Sequence, residues 1–384
     1  MSQQNEKLQK AFQRKCPNCG APLRFDPSSG KLFCSHCKGL VDIAQNHDVR
    51  EREFAEMADF AHWSEGEVSC YRCQNCGASS VLPRTTLATN CAFCGSPVVV
   101  DEYSTGLVRP DSLIPFELTE DEAATQLVAW RKRKFFAPNK FRKKVKANSI
   151  KGVYIPAWTF DAETYSHYSG RLGRHETRTI RRNGKTYTET YTHWFHVDGE
   201  ISSSYDDIFI RGNNNIAPKY FDELRVNDKS KYVVYSDKYL AGYIADNYTV
   251  EPMDAYAMAR QKIDRDIHDR IMRKHHADVE GHLDIKTTVT SRSFKYMLLP
   301  VYVATTKYGG QVYNQYVSGC WSNTVKKKAS VCGHSPKSIW KILFVSLLGA
   351  AALVGLGYLI FRLMFSGNGE WYFDFDFLLR QLLA

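Results

Sequence analysis

Two stretches, CPNCG (Cys16–Gly20) and YRCQNCGAS (Tyr71–Ser79), open with the same cysteine pair, and each is completed downstream in the same way. The first set runs Cys16-x2-Cys19, fourteen residues, Cys34-x2-Cys37; the second runs Cys73-x2-Cys76, fourteen residues, Cys91-x2-Cys94. The copies are offset by a constant 57 residues, and Gly20-Ala21 recurs as Gly77-Ala78. The chain has eleven cysteines, and the spacing of these eight reads as metal ligation rather than disulfides, with Cys70 left as a spare.

The physical reason is specific. Two residues between cysteines let both thiolates of a tight turn reach one ion, and Zn2+ takes four sulfurs in a tetrahedron at about 2.3 Å. Gly20, Gly77 and Gly95 follow the second cysteine of a pair, where a positive φ strains glycine least. The intervening segments, APLRFDPSSGKLF and ASSVLPRTTLATN, read as short strands around a turn. A unit this small has almost no core, so the metal must supply its stability, on the order of 10–16 kcal/mol per site. Four thiolates leave no open coordination position, which makes the expected pair of Zn2+ ions structural rather than catalytic; a redox dithiol is the alternative. Reduced cysteines fit a reducing compartment. His36, His47 and His62 lie nearby and read as surface residues.

The 384 residues are 43% hydrophobic and 24% charged, the composition of a folded protein of two or three small domains. The fold class expected is α+β: two N-terminal four-cysteine zinc ribbons, a β-rich α+β domain and one C-terminal transmembrane helix. The divisions fall at 1–15 (a polar arm with no secretory signal), 16–105 (two ribbons), 106–338 (the α+β domain), 339–365 (the span) and 366–384 (an amphipathic tail). Between the ribbons, Phe54, Met57, Ala58 and Ala61 have helical spacing and predict a linker helix.

In the central region, Thr119-Glu-Asp-Glu122 is a capping box, after which Ala123, Leu127 and Trp130 line one helix face. RTIRRNGKTYTETYTHWFHV is a hairpin signal with Asn183-Gly184 at its turn. Residues 251–276 carry a second long helical pattern, with Met258, Ile263, Ile267 and Ile271 facing the core. An internal echo links Ile150-Lys-Gly-Val-Tyr-Ile-Pro156-Ala-Trp158 with Phe294-Lys-Tyr-Met-Leu-Leu-Pro300-Val-Tyr302, each after a helix and before an aromatic hairpin. It predicts a duplicated helix-plus-sheet unit. There is no GxxxxGK[ST], HExxH or GxSxG motif. The pairs His193/His196 and His275/His276 read as structural or surface residues, and no enzyme activity is expected.

The formal net charge is +10, and it is localised: between Arg131 and Lys151 lie ten basic residues and no acidic one. Arg131, Lys132, Arg133, Lys134, Lys140, Arg142, Lys143, Lys144 and Lys146 are the candidate anion-binding residues, interleaved with Phe135, Phe136 and Phe141. Three readings compete: a solvated face, contact with nucleic-acid phosphates with aromatics for stacking, or contact with anionic lipid.

Ile342 to Phe361 is twenty residues without a charge, about 30 Å of helix and the thickness of a bilayer core. Lys326, Lys327, Lys328, Lys337 and Lys341 precede it, while Arg362 and Arg380 follow. The positive-inside bias puts the N-terminal bulk in the cytoplasm, on the inner membrane of the cell.

The layout resembles bacterial double zinc-ribbon single-span membrane proteins, loosely labelled TFIIB-type zinc-ribbon or PriA-helicase-like. The resemblance rests on CPNCG, the second CxxC set, IPFELTEDEA, GVYIPAWTFDA and LLPVYV, and it covers most of the chain. Association with SPFH-type or phage-shock-type membrane proteins is what the resemblance implies about partners. The chain departs from it at Ser318-Gly-Cys-Trp-Ser322, where an NGQTG-like turn is expected, and without a nucleotide-binding loop it has no basis for helicase motor activity. The expectation is a non-enzymatic scaffold or adaptor docking protein partners at the membrane; the alternative is a membrane-tethered nucleic-acid-binding protein using the ribbons and the basic run.

Overall fold

The structure is a computed structural model that describes residues 15–58, 68–83, 88–99, 108–142 and 150–364. It divides into two compact units. The first takes in residues 1–130 and 144–334, and the second residues 131–143 and 335–384.

In the first unit, the first ribbon is a three-stranded antiparallel sheet of β1 (Leu23–Asp26), β2 (Lys31–Cys34) and β3 (Leu40–Val41). Where helical spacing predicts a linker helix, the described residues instead form β4 (Arg52–Glu53) and a five-residue 3-10 turn, Phe54–Ala58; residues 59–67 of that linker lie outside the described residues. Pairing of Arg52 and Glu53 with Phe294 and Ser293 holds this stretch extended. The second ribbon supplies β5 (Val68–Arg72) and β6 (Ser79–Pro83), then the small hairpin of β7 (Ala88–Asn90) and β8 (Pro97–Val99).

The central region follows as β9 (Ser112–Leu113), helix α1 (Glu120–Arg133), β10 (Ile150–Arg182) and β11 (Lys185–Arg211). After these come α2 (Pro218–Leu224), β12 (Val233–Val234), β13 (Ile244–Asp246), helix α3 (Pro252–Lys274), β14 (Val279–Tyr308), β15 (Gln311–Ser318) and β16 (Val331–Gly333). Among the described residues these build one mixed sheet whose path is β12-β9-β14-β10-β13-β6-β5. Local chemistry agrees with it. The capping box forms, with the Thr119 N–H donating to Glu122 Oε2 at 2.9 Å and the Glu122 N–H to Thr119 Oγ1 at 3.3 Å. Asn183 and Gly184 have φ of 52° and 75°, as a two-residue primed hairpin turn requires. In α3, Ile263, Ile267 and Ile271 recur every four residues and bury against Tyr168, Leu172 and Val197 of the long hairpin.

The echoed strands β10 and β14 are the two central strands, and they pair antiparallel about Ile155↔Leu299. The duplication extends beyond them. β13 runs parallel to β10 at Val153–Tyr154, and β9 runs parallel to β14 at Met297–Leu298, the echoed pair of positions. The returning strands then take over at Ala157 and Val301, again equivalent. Trp158 Nε1 donates to Val250 O at 3.0 Å, just before α3; Tyr302, its counterpart, donates its hydroxyl to Leu118 O at 2.6 Å, just before α1. Each half is therefore short strand, helix, long strand and return strand, and each half lends its short strand to the long strand of the other. Between them lies an aromatic core in which Phe116 stacks on Tyr243 (4.2 Å between ring centres) and meets Tyr154 and Tyr302 edge-on.

In the second unit, helix α4 (Ile339–Met364) has no charge between Lys341 and Arg362, and no residue of its most apolar stretch, Ile339–Arg362, is buried. Twenty-six residues rise about 39 Å, enough to cross a bilayer core. A long apolar helix whose side chains are left exposed is what a lipid-facing span requires. The tail, 365–384, lies outside the described residues, as do residues 1–14.

Candidate metal centres

Each ribbon brings its four cysteines to one point. Within each set the four sulfur atoms lie within 4.8 Å of one another. The closest pairs are Cys16–Cys37 and Cys19–Cys34 at 3.5 Å, and Cys73–Cys94 and Cys76–Cys91 at 3.6 Å. Bonds of about 2.3 Å in a tetrahedron give sulfur–sulfur edges of about 3.8 Å, so both sets have room for one ion at their centre and for nothing larger. All-thiolate tetrahedral donors select Zn2+ as a structural ion. Two Zn2+ sites therefore stand as expected, with Cys16, Cys19, Cys34, Cys37 and Cys73, Cys76, Cys91, Cys94 as ligands.

The backbone repeats one device four times. In each knuckle the first cysteine accepts from the residue four positions on: Gly20, Lys38, Gly77 and Gly95 donate to Cys16, Cys34, Cys73 and Cys91 carbonyls at 2.8–2.9 Å. All four donors have positive φ, between 63° and 75°. Three are the glycines the sequence singles out; Lys38 is the exception that a search for glycine misses, and it adopts the left-handed conformation under the same constraint.

Electrostatics favour a cation. The amides of Cys37 and His36 point at Cys34 Sγ and lower its pKa to about 6. The Gly39 amide favours ionisation of Cys37, but neighbouring Cys16 and Cys34 push it up to about 12. In the second ribbon burial opposes ionisation of Cys94, yet the Ser96 hydroxyl and amide bring it down to about 6. Burial first, and then the Cys94 and Cys91 thiols, raise Cys76, and burial raises Cys91 to about 11. The bare sets thus mix thiols that ionise readily, Cys16 and Cys34 in one and Cys94 in the other, with thiols that resist; a divalent cation removes that resistance.

The two ribbons are seated differently. The second is built into the sheet: β6 pairs with β13 through Val81↔Ala245 and Ser80↔Asp246. Its second knuckle, Cys91–Cys94, is wholly buried, and Thr305 Oγ1 donates to the Phe93 carbonyl at 3.0 Å. The first ribbon docks by one side only. The Phe25 N–H donates to Ala241 O at 2.8 Å and its ring meets Tyr239 at 5.3 Å, while the knuckles Pro17–Gly20 and Ser35–Lys38 face solvent. A single segment, Tyr239–Asp246, thus holds both ribbons.

Among the described residues Cys320 and Cys332 do not come together in a third cysteine metal set. Cys320 and Cys332 are buried singly, donating to Pro115 O and Tyr220 O, and burial pushes the Cys332 thiol up to about 12. Asp161, Asp206 and Asp207 cluster, but cations already balance them: Lys295 Nζ contacts Asp207 Oδ1 at 2.9 Å, and Lys229 bridges Asp206 and Asp207. His193 pairs with Glu176 at 3.3 Å on the exposed arm, and His275 contacts the Tyr168 hydroxyl at 3.0 Å; neither faces a second histidine at those contacts.

The basic run separates into different environments. Arg131 is 5% exposed and stacks over Phe141 at 4.4 Å, so it is turned inward and not toward a surface anion, a correction to its sequence reading. Burial lowers its pKa to about 10, which leaves it charged at neutral pH. Arg142 donates to the Lys132 carbonyl. Lys132, Arg133, Lys134 and Lys140 are exposed, while Lys143, Lys144 and Lys146 lie outside the described residues.

Comparison with known proteins adds one relative. No family model matches the chain, and no solved structure matches it. The chain is similar to an uncharacterized protein of Bacillus subtilis, YdjG, at 28% identity over 301 residues, covering 77% of this chain and 83% of that protein.

Proposed function

We propose that this is a non-enzymatic, membrane-anchored docking protein: α4 holds it in the inner membrane with its bulk in the cytoplasm, and the first zinc ribbon presents the surface to which a protein partner binds. The single observation that carries this reading is the unequal seating of the ribbons. The second ribbon is buried on its Cys91–Cys94 side and serves the sheet. The first exposes both knuckles, including Cys19 and Cys37, and the sheet's pairing does not require that exposure. A metal-fixed knuckle is rigid, so little conformational entropy is lost when a partner covers it. The expected partner is a membrane protein of the SPFH or phage-shock type, as the family resemblance implies. Nucleic-acid binding is the second reading, and the basic run alone supports it.

A photoreactive side chain placed at His36, in the exposed knuckle, tests the proposal in intact cells. The expected result is a discrete crosslink to a membrane protein that disappears in a Cys19→Ser background. Crosslinks unaffected by loss of the ribbon metal, or crosslinks to nucleic acid, contradict it.

A further inference from the structure

Among the places where the two halves of the duplicated fold differ is the connection from helix to echoed strand. In the second half, the helix-to-strand link between α3 and β14 is closed by residues 275–278. In the first, the link between α1 and β10 runs over 134–149 and carries the basic run. Counted from the helix end to the echoed Ile150 and Phe294 the two connections are of similar length, but in the second half residues 279–293 are already strand, whereas in the first residues 134–142 lie outside the sheet.

Within the second unit that loop is fastened to the first turn of α4. The Ser338 N–H donates to Phe136 O at 2.8 Å. Lys341 Nζ donates to three acceptors, Phe135 O at 3.1 Å, Ala137 O at 2.9 Å and Asn139 Oδ1 at 2.9 Å, and lies 5.8 Å from the Phe135 ring centre. Of the three phenylalanines, Phe141 is buried under Arg131, whereas Phe135 and Phe136 are 59% and 42% exposed and pack edge to face on each other. Trp340 and Ile339, in the first turn of α4, are exposed as well. The stretch 131–142 contains no acidic residue.

We propose that Phe135 and Phe136 are seated in the surface of an anionic bilayer beside the entry point of α4, as a second, non-spanning membrane contact that fixes the height of the helix. The inference rests on α4 being the span. Three bonds to Lys341 place the two rings at the depth of the first helical turn, which is the headgroup boundary, where aromatic side chains collect. Exposed apolar rings ringed by cations are the pattern of an interfacial anchor, and the cations complement anionic headgroups. Continuity with the span and this charge match identify the occupant as lipid. Stacking on nucleic-acid bases would need the same rings free of the membrane.

The test uses the full-length chain reconstituted in vesicles of phosphatidylcholine alone or of equal parts phosphatidylcholine and phosphatidylglycerol. A benzoyl-phenylalanine is placed at Phe136 or at Trp340. Expected are lipid adducts at both, with the Phe136 adducts enriched in phosphatidylglycerol over its share of the mixed vesicle. Lipid labelling at Trp340 without labelling at Phe136 overturns the inference while leaving the anchor intact. Absence of labelling at both positions overturns the anchor and the inference with it. An adduct of Phe136 to added single-stranded DNA in place of lipid also overturns it.

Discussion

Ile155 pairs with Leu299 at the centre of the sheet, and the two residues hold the same place in the two halves of the fold. An antiparallel pair centred on equivalent residues generates a local twofold, so contacts off the centre come in matched sets. The Gly212 N–H donates to Pro156 O at 2.9 Å and the Gly319 N–H to Pro300 O at 2.9 Å. Both glycines are there because of close approach. A Cβ on Gly212 meets Pro156 Cβ at 2.7 Å, and one on Gly319 meets Pro300 Cβ at 2.6 Å.

The matched contacts predict matched penalties. Gly212→Ala and Gly319→Ala should each destabilise the first unit by about 1–3 kcal/mol, the usual range for forced overpacking. Chemical denaturation of the detergent-solubilised chain reads this directly; one strongly destabilised variant beside one neutral one speaks against the duplication.

The unequal seating of the ribbons makes loss of each metal distinguishable. Cys94→Ser should remove one equivalent of zinc and also loosen β13, because β6 pairs with it. Hydrogen exchange at Ala245 and Asp246 should then accelerate. Cys19→Ser should remove one equivalent and leave those amides protected. Equal exchange in the two variants contradicts the proposed division of labour.

Lys295 is 3% exposed and sits 2.9 Å from both Asp207 Oδ1 and Glu51 Oε1. Lys295→Met should cost about 3–5 kcal/mol, since it takes from the buried Asp207 the cation that contacts its Oδ1. Asp207→Asn in that background should recover part of the loss; asparagine also tolerates the φ of 58° found there. Unchanged stability in the single variant removes this network from the account.

Asp246 is buried beneath the strand that carries the second ribbon, and burial raises its pKa to about 7 despite hydrogen bonds from the Asn213 and Asn215 side chains and the Asn247 amide. The folded state therefore holds this proton over a range in which the unfolded chain has released it. Linkage makes stability fall as pH rises from the unfolded carboxylate range toward about 7. Asp246→Asn should flatten that part of the stability profile relative to wild type. It is best read from pH about 6 upward, because acid also protonates zinc thiolates. Identical slopes in the two proteins rule out Asp246 as the source.

Much of this is legible in the sequence because the signals are local. The cysteine spacing names both metal sets, the capping box of Thr119 and Glu122 and the Asn183-Gly184 turn form as read, and the echo of Ile150–Trp158 in Phe294–Tyr302 proves to be two paired strands. What escapes the sequence depends on distant partners. Phe54 and Met57 have helical spacing, but Arg52–Glu53 is claimed by β14 and the following residues make only a 3-10 turn. Arg131 belongs to a basic run by sequence, yet stacking on Phe141 takes it inside. No local pattern announces that Lys341 binds the loop at 135–139, because about two hundred residues separate them in the chain. The same limit hides the difference between the ribbons: their spacing is identical, and distant partners such as β13 and Thr305 set the second apart from the first.

Two zinc sites and one candidate bilayer anchor belong to a single molecule. The most direct test of that arrangement is the metal content of full-length protein recovered from membranes that have been stripped with alkaline carbonate. The chain is expected to stay in the stripped membranes and to carry two zinc ions per molecule. Protein released by carbonate, or retained protein with one zinc ion or none, would contradict it.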